Sequence, residues 1–242
     1  MESARTDVIS RKEGQKSPDS EQQNARGEET RARILKAGLR LFALHGYHGT
    51  GIRTLAAEAG ANVAAVNYHF GSKQGLLDSV VDELITSVRA LADPLIEQLD
   101  KTIAASGNDR VALARGTKVL IRAMVQAALV YEGCDWDTML IQRESLQQSP
   151  VYTRIYDGYI YEIHNAMCRL VAAATDKPVG TSENTITSHA LLNLCLTWGM
   201  CRVDVLRKLG REDYGTEGVS MVMEEVALMG IRLLGLPDPD KK

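Results

Sequence analysis

The sequence predicts an all-α fold, and three observations carry that expectation. Only 5% of the 242 residues are aromatic and 6 are proline, while Ala, Leu, Val and Met are plentiful, a composition that favours helix over strand. Apolar residues recur at three- and four-residue steps along most of the chain, the period of amphipathic helices. No run alternates convincingly with period two, and there is neither an internal repeat nor a glycine-rich phosphate loop.

Residues 1–29 are rich in Ser, Gln, Glu and Lys and nearly free of large apolar side chains. Such a segment buries too little surface to offset its ordering entropy, so a disordered tail is expected. From Thr30 the pattern changes. Ile34, Leu35, Gly38, Leu41 and Phe42 mark a first helix, with Thr30 as its expected cap and Gly46 as its stop. A short second helix runs from about Ile52 to Ala59, where Gly60 ends it. A third covers about Val63 to His69, capped by Asn62, with Val66 and Phe70 one turn apart on its inner face. Ser72 caps a long fourth helix carrying Leu76, Leu77, Val80, Val81, Leu84 and Ile85. From Pro94 onward the spacing predicts helices at roughly 94–105, 110–131, 136–147, 150–175, 185–208 and 216–235. The breaks fall at Gly107, Gly133, Ser149-Pro150, the Lys177–Glu183 loop, and Gly210 to Gly215.

Charge is distributed unevenly. Between Thr30 and Gly75, six basic residues (Arg31, Arg33, Lys36, Arg40, Arg53, Lys73) face one acid, Glu58, although the whole chain carries -3. A cationic head on an anionic body suits a phosphate-binding module joined to something else. No stretch approaches the 18 or so uncharged apolar residues of a membrane span. The first thirty residues lack a signal-peptide core. Cys134, Cys168, Cys195 and Cys201 show no Cys-x-x-Cys spacing and sit in apolar surroundings, which reads as reduced, buried thiols in a cytoplasmic protein.

The stretch GYHGTGIRTLAAEAGANVAAVNYHFGSKQGLL, Gly46 to Leu77, holds two short helices joined by a glycine-containing turn. That is a helix-turn-helix whose second helix is of a size to enter the major groove. Leu55, Ala56, Ala59, Val66 and Phe70 are its candidate core. Asn62, Ala64, Ala65, Asn67, Tyr68 and His69 are left largely outward, and the two alanines let the backbone approach base edges.

This stretch resembles the DNA-binding domain of the TetR family of bacterial regulators, over about residues 28–80. The shared features are the Gly-Tyr after the first helix, the Leu-Ala-x-x-Ala-Gly body and the Asn-Tyr-His-Phe-x-Ser-Lys run leading into a long helix. The resemblance implies that Arg53, with turn residues Thr50 and Asn62, contacts phosphates or groove edges. It implies that Val63, Ala64 and Ala65 face bases, that Asn67, Tyr68 and His69 approach the backbone, and that Lys73 meets a phosphate. Three positions depart from the family pattern: Asn67 where tyrosine is usual, Gly51 for a Ser/Thr cap, and Gly75 where an acid often completes the cap. His69 as a packed histidine, Tyr68 as a cover for the core and Lys73 as a solvated cation stay open as alternatives.

The resemblance further implies a homodimer and a ligand cavity in the helical body. The chain then divides into a tail (1–29), a DNA-binding head (30–75), a ligand-binding and dimerisation body (76–236) and a short C-terminal tail (237–242). Gln142-Arg143-Glu144, followed by Ser149-Pro150 and a tyrosine-bearing helix, is similar to a subgroup of efflux-gene regulators. Candidate ligand residues are Trp136, Met139, Arg143, Tyr156, Tyr159, His164 and Trp198, each with core packing as the alternative, and they favour an apolar or aromatic effector. The 185–208 and 216–235 helices are apolar on more than one face, so they are the expected dimer interface, with completion of the monomer core as the alternative. Neither a cofactor nor a metal is expected, because the five histidines have no metal spacing. An enzyme is disfavoured, since Gly-x-Ser-x-Gly, His-Glu-x-x-His, Ser-x-x-Lys and Walker-type loops are missing from the sequence. The remaining reading is a repressor that leaves double-stranded operator DNA when a small molecule binds its body.

Overall fold

The computed structural model describes residues 18–130 and 134–241, with side chains omitted at 18–21, 130, 134 and 135. Residues 1–17 of the expected tail, the break at Gly133 and the thiol of Cys134 lie outside the described residues. All regular structure among the described residues is helical. The chain forms α1 (Pro18–Gly49), α2 (Ile52–Glu58), α3 (Val63–Phe70), α4 (Lys73–Ser106), α5 (Arg110–Val130) and α6 (Cys134–Leu146). It continues through α7 (Pro150–Ile155), a π-helical turn at Tyr156–Ile160, α8 (Tyr161–Thr175), α9 (Ser182–Met200), α10 (Arg202–Leu209) and α11 (Gly215–Leu233). Among the described residues, no helix is long and apolar enough to cross a membrane.

Several expected boundaries move. The first helix begins at Pro18, so Thr30 is not a cap; its hydroxyl donates to Arg26 O one turn back. The expected tail is therefore helical from residue 18, an extension of α1 that adds local backbone bonds without needing a core. Gly46 does break α1, at φ 70°, a left-handed value that favours glycine. Pro94 breaks nothing, because α4 runs through it to Ser106. The expected 150–175 helix is divided by the π turn, and the 185–208 helix is divided at Cys201. Cys201 is exposed there and Cys168 is half-buried, so among the described thiols the expectation of burial holds only at Cys195. Burial pushes that thiol up to about 12. The C-terminal tail is tied down through Leu236, which is buried, and Asp240, which pairs with Lys118.

Packing produces two apolar cores. One gathers Ile34, Phe42, Leu55, Val66, Leu76 and Leu84 of the head with Leu140, Ile155 and Tyr159 from further along the chain. The other is built from α5, α8, α9 and α11, with Ile121, Val125, Leu170, Leu191 and Val226 among its buried members. The head core thus extends past residue 75 along α4 and recruits α6, α7 and the π turn.

The break after α1 leaves carbonyls that helices elsewhere must satisfy. Arg143 on α6 donates from Nε to Ala43 O at 2.9 Å and from Nη2 to Leu44 O at 2.7 Å. Lys73, at the start of α4, donates to Tyr47 O at 2.9 Å and Thr50 O at 3.0 Å, with its Nζ 4.1 Å from the centre of the Tyr47 ring. The buried Thr50 hydroxyl donates to Gly46 O at 2.8 Å and also lies 3.1 Å from Leu41 O. Gly75 completes the junction. A Cβ there would lie 2.1 Å from Phe70 O, which explains why no acidic side chain occupies this position.

Two outcomes are expected. Lys73→Ala removes the ammonium from two part-buried carbonyls, of which Tyr47 O keeps only the long bond from Thr50 N at 3.4 Å, and this should cost about 1–3 kcal/mol; thermal unfolding of the variant should show a lower midpoint in the absence of DNA. An unchanged midpoint would show that the ammonium contributes nothing to the fold. His164 on α8 lies 5.3 Å, ring to ring, from His189 on α9, and burial first, then the His189 charge, lower its pKa from 6.5. The folded state therefore takes up this proton less readily than the unfolded chain. Stability should be complete above about pH 6.5 and fall as pH drops from there through the folded-state value. His164→Gln should flatten that decline in urea titrations across this window.

Candidate nucleic-acid interface

The helix-turn-helix is formed by α2 and α3. At the turn between them Gly60 adopts φ 59°, and Ala61 N donates to Ala56 O at 2.9 Å, closing α2 with a left-handed residue. Asn62 caps α3 by accepting from Ala65 N at 2.8 Å. Leu55 and Ala56 anchor α2, while Val66 and Phe70 anchor α3, so the remaining sides of both helices face outward.

That outward surface brings together most of the residues expected at DNA. Arg53, Asn62, Ala64, Asn67 and Tyr68 are exposed, and Val63, Ala65 and His69 are half-buried. Tyr68 is 85% exposed, with its ring edge-on to His69 at 5.1 Å. It therefore does not cover the core. Arg53 has no ion-pair partner among the described residues, and the exposed Thr54 hydroxyl beside it is a donor that the sequence pattern does not mark. By contrast, Arg40 is committed to Glu58 and lies over the Trp136 ring at 5.6 Å.

Two residues expected at the DNA are instead structural. Thr50 is buried and uses its hydroxyl on α1 carbonyls. Lys73 is half-buried and spends two of its three N–H donors on main-chain carbonyls of its own fold. One physical reason covers both corrections: a polar side chain beside a DNA-facing helix can equally satisfy the orphaned end of its neighbour.

The residues expected to line a ligand cavity do not converge. Trp136 sits in a cleft between α1, α4 and α6, and Met139 is exposed. Arg143 is the α1 clasp rather than a ligand anchor, a role the sequence hides because it shows no contact between α6 and α1. Tyr156 packs near Tyr152 and Tyr161, each at 6.1 Å between ring centres. His164 faces His189, and Trp198 packs on the body core, donating from Nε1 to Leu194 O at 2.8 Å. Tyr159 lines a separate cavity further along α4. That cavity, about 220 Å³, lies between α4, the π turn and α8, with Arg89 and Asp93 at its edge. It shares Ala92, Ile96 and Ile163 with a smaller apolar chamber of about 50 Å³ lined also by Leu99, Met124 and Met167.

The helices expected to form a dimer interface divide between two roles. Leu191, Leu192, Val222 and Val226 are monomer core. Ile186, Leu196 and Met200 of α9, Val203 of α10, and Met221, Met229 and Leu233 of α11 are exposed.

Residues 34–80 match the family described as bacterial regulatory proteins, tetR family, and residues 117–232 match the C-terminal domain of the HTH-type transcriptional dual regulator CecR. The chain is 25% identical over 205 residues to CecR of Shigella flexneri, covering 83% of this chain and 89% of that one. Over 64 residues it is 45% identical to the HTH-type transcriptional regulatory protein RaaS of Mycobacterium tuberculosis, 25% of this chain and 30% of that one. The fold is shared with AibR, solved in complex with isovaleryl coenzyme A and operator DNA, at a TM-score of 0.56 and 14% identity over 83% of this chain and 97% of that one. One match covers the helix-turn-helix and the other the helical body behind it, in the order of a full-length relative: the chain belongs to the TetR family of transcriptional regulators.

Proposed function

We propose that this chain is a homodimeric, ligand-responsive repressor of the cytoplasm that releases double-stranded operator DNA when a small apolar molecule enters its body. The observation that carries the DNA reading is the outward surface of α3, where Ala64, Asn67 and Tyr68 are exposed over the anchors Val66 and Phe70. Small side chains at Ala64 and Ala65 allow close approach to base edges, and Asn67 and Tyr68 supply polar groups for bases or backbone. Val63 and His69 flank this surface, Asn62 stiffens its start, and Arg53 provides the phosphate contact from α2. Two copies of α3 in a dimer would lie about 34–36 Å apart, one turn of DNA, or a multiple of it.

The body cavity between α4 and α8 is the proposed effector site. Its apolar inner chamber and charged edge suit a short apolar group carrying a polar head, and the AibR complex shows this fold accommodating an acyl thioester in another protein. Because α4 begins in the head and forms one wall of the cavity, an occupant that prefers one setting of α4 shifts the equilibrium between DNA-binding and DNA-free arrangements.

Sequencing the genomic fragments retained by the purified chain tests the reading; retention of no duplex DNA above background would overturn it. On a retained fragment, Arg53→Ala should weaken specific and random DNA about equally and reduce the magnitude of the salt slope by about one per lost phosphate contact. Loss confined to the specific fragment would make Arg53 a base reader instead. For the dimer, Leu196→Glu combined with Met229→Glu should give monomers of unchanged helix content in sedimentation, whereas a charge at the buried Val222 should unfold the body. A stable dimer in the double variant would place the interface elsewhere.

A further inference from the structure

A larger cavity lies where the head meets the body. It is a cleft of about 470 Å³ where α1, α4 and α6 meet, within the range of small-molecule sites, roughly 300–1,000 Å³. Leu35, Leu39, Val80 and Leu84 form an apolar floor, and the Trp136 indole adds a flat wall. Lys36 and Glu83 stand on opposite helices at its edge, both exposed and neither ion-paired among the described residues. The other charged groups differ. Arg40 is held by Glu58 and the indole, and Asp137 is buried and has a partner. The available cation therefore sits on α1, within residues 30–75, where six basic residues face one acid.

We propose that this cleft binds a small amphipathic organic acid, with its ring against Trp136 and the leucine floor and its anionic group on the Lys36 ammonium. Glu83 on the opposite wall accepts from an N–H or O–H of the occupant. Trp136 and Arg143 are two turns apart on α6, so a molecule set between Trp136 and α1 bears on the helix that clasps the end of α1. Binding itself is independent of the regulator reading. Its effect on DNA affinity rests on that reading.

The probe is anilinonaphthalene sulfonate, which combines aromatic rings, one anion and one N–H. In the full chain carrying Trp198→Phe, Trp136 is the sole tryptophan, since the sequence holds two. Titration should give saturable quenching of Trp136 with matching sensitised probe emission, at one site per chain. Lys36→Glu should weaken that binding about tenfold or more. Ser87→Phe, which fills the cleft from α4, should abolish it. Ala92→Phe, at the lip shared by the two body chambers, should leave it unchanged. An affinity unmoved by Lys36→Glu overturns the proposal, as does loss in Ala92→Phe with retention in Ser87→Phe. Should Ser87→Phe fail to fold by circular dichroism, the surface substitution Lys36→Glu decides alone. None of these readouts uses DNA, so a chain that binds no operator still shows whether the cleft is a binding site.

Discussion

The head of this protein depends on how the end of α1 is satisfied. A helix that stops at a left-handed glycine exposes carbonyls it can no longer pair, and here they fall where head and body meet. Arg143 from α6 takes two of those oxygens, Lys73 from α4 takes two more from the segment that follows the glycine, and the Thr50 hydroxyl takes Gly46 O. Bonds to charged donors are stronger than neutral ones, about 1.5–3 kcal/mol each. Partly shielded from water, these fix α2 and α3 relative to α4 and α6. The exposed surface of α3 is positioned by this junction as much as by its own small core.

Much of this is legible in the sequence. The α2–α3 unit follows from Gly60, Asn62 and the apolar set Leu55, Val66 and Phe70, because each is a local signal whose meaning does not depend on distant residues. The outward placement of Tyr68 follows from the same period. The roles of Lys73, Thr50 and Arg143 are not legible, because their partners are main-chain oxygens 4 to 100 residues away in sequence, and a carbonyl leaves no trace in composition or spacing. The scattered ligand candidates share this cause. Helical period tells which side of α6, α8 or α9 a tyrosine or tryptophan occupies, but not which neighbour that side meets.

The two cores also explain why the expected boundary at residue 75 has no counterpart in packing. Leu76, Val80 and Leu84 of α4 complete the head core, whereas Leu99 of the same helix belongs to the body. A single helix that is core to both units transmits displacement without any hinge in its backbone, and Pro94 does not interrupt it.

The π turn at Tyr156–Ile160 has a consequence for how the two cores coexist. A turn with one additional residue sets the phase of everything after it back by about a quarter of a revolution relative to an uninterrupted α-helix. Ile155 and Tyr159 thereby point into the head core, and Ala166, Met167 and Leu170 into the body core, from what is otherwise one continuous rod. Gly158 lies within this turn, where a Cβ would meet Ile85 at 2.7 Å, so the rod can also press flush against α4. Removing one residue from this turn would leave both halves helical while rotating one set of apolar side chains out of register with its core. A length change that is harmless in most surface loops would here be as disruptive as a charge in the interior.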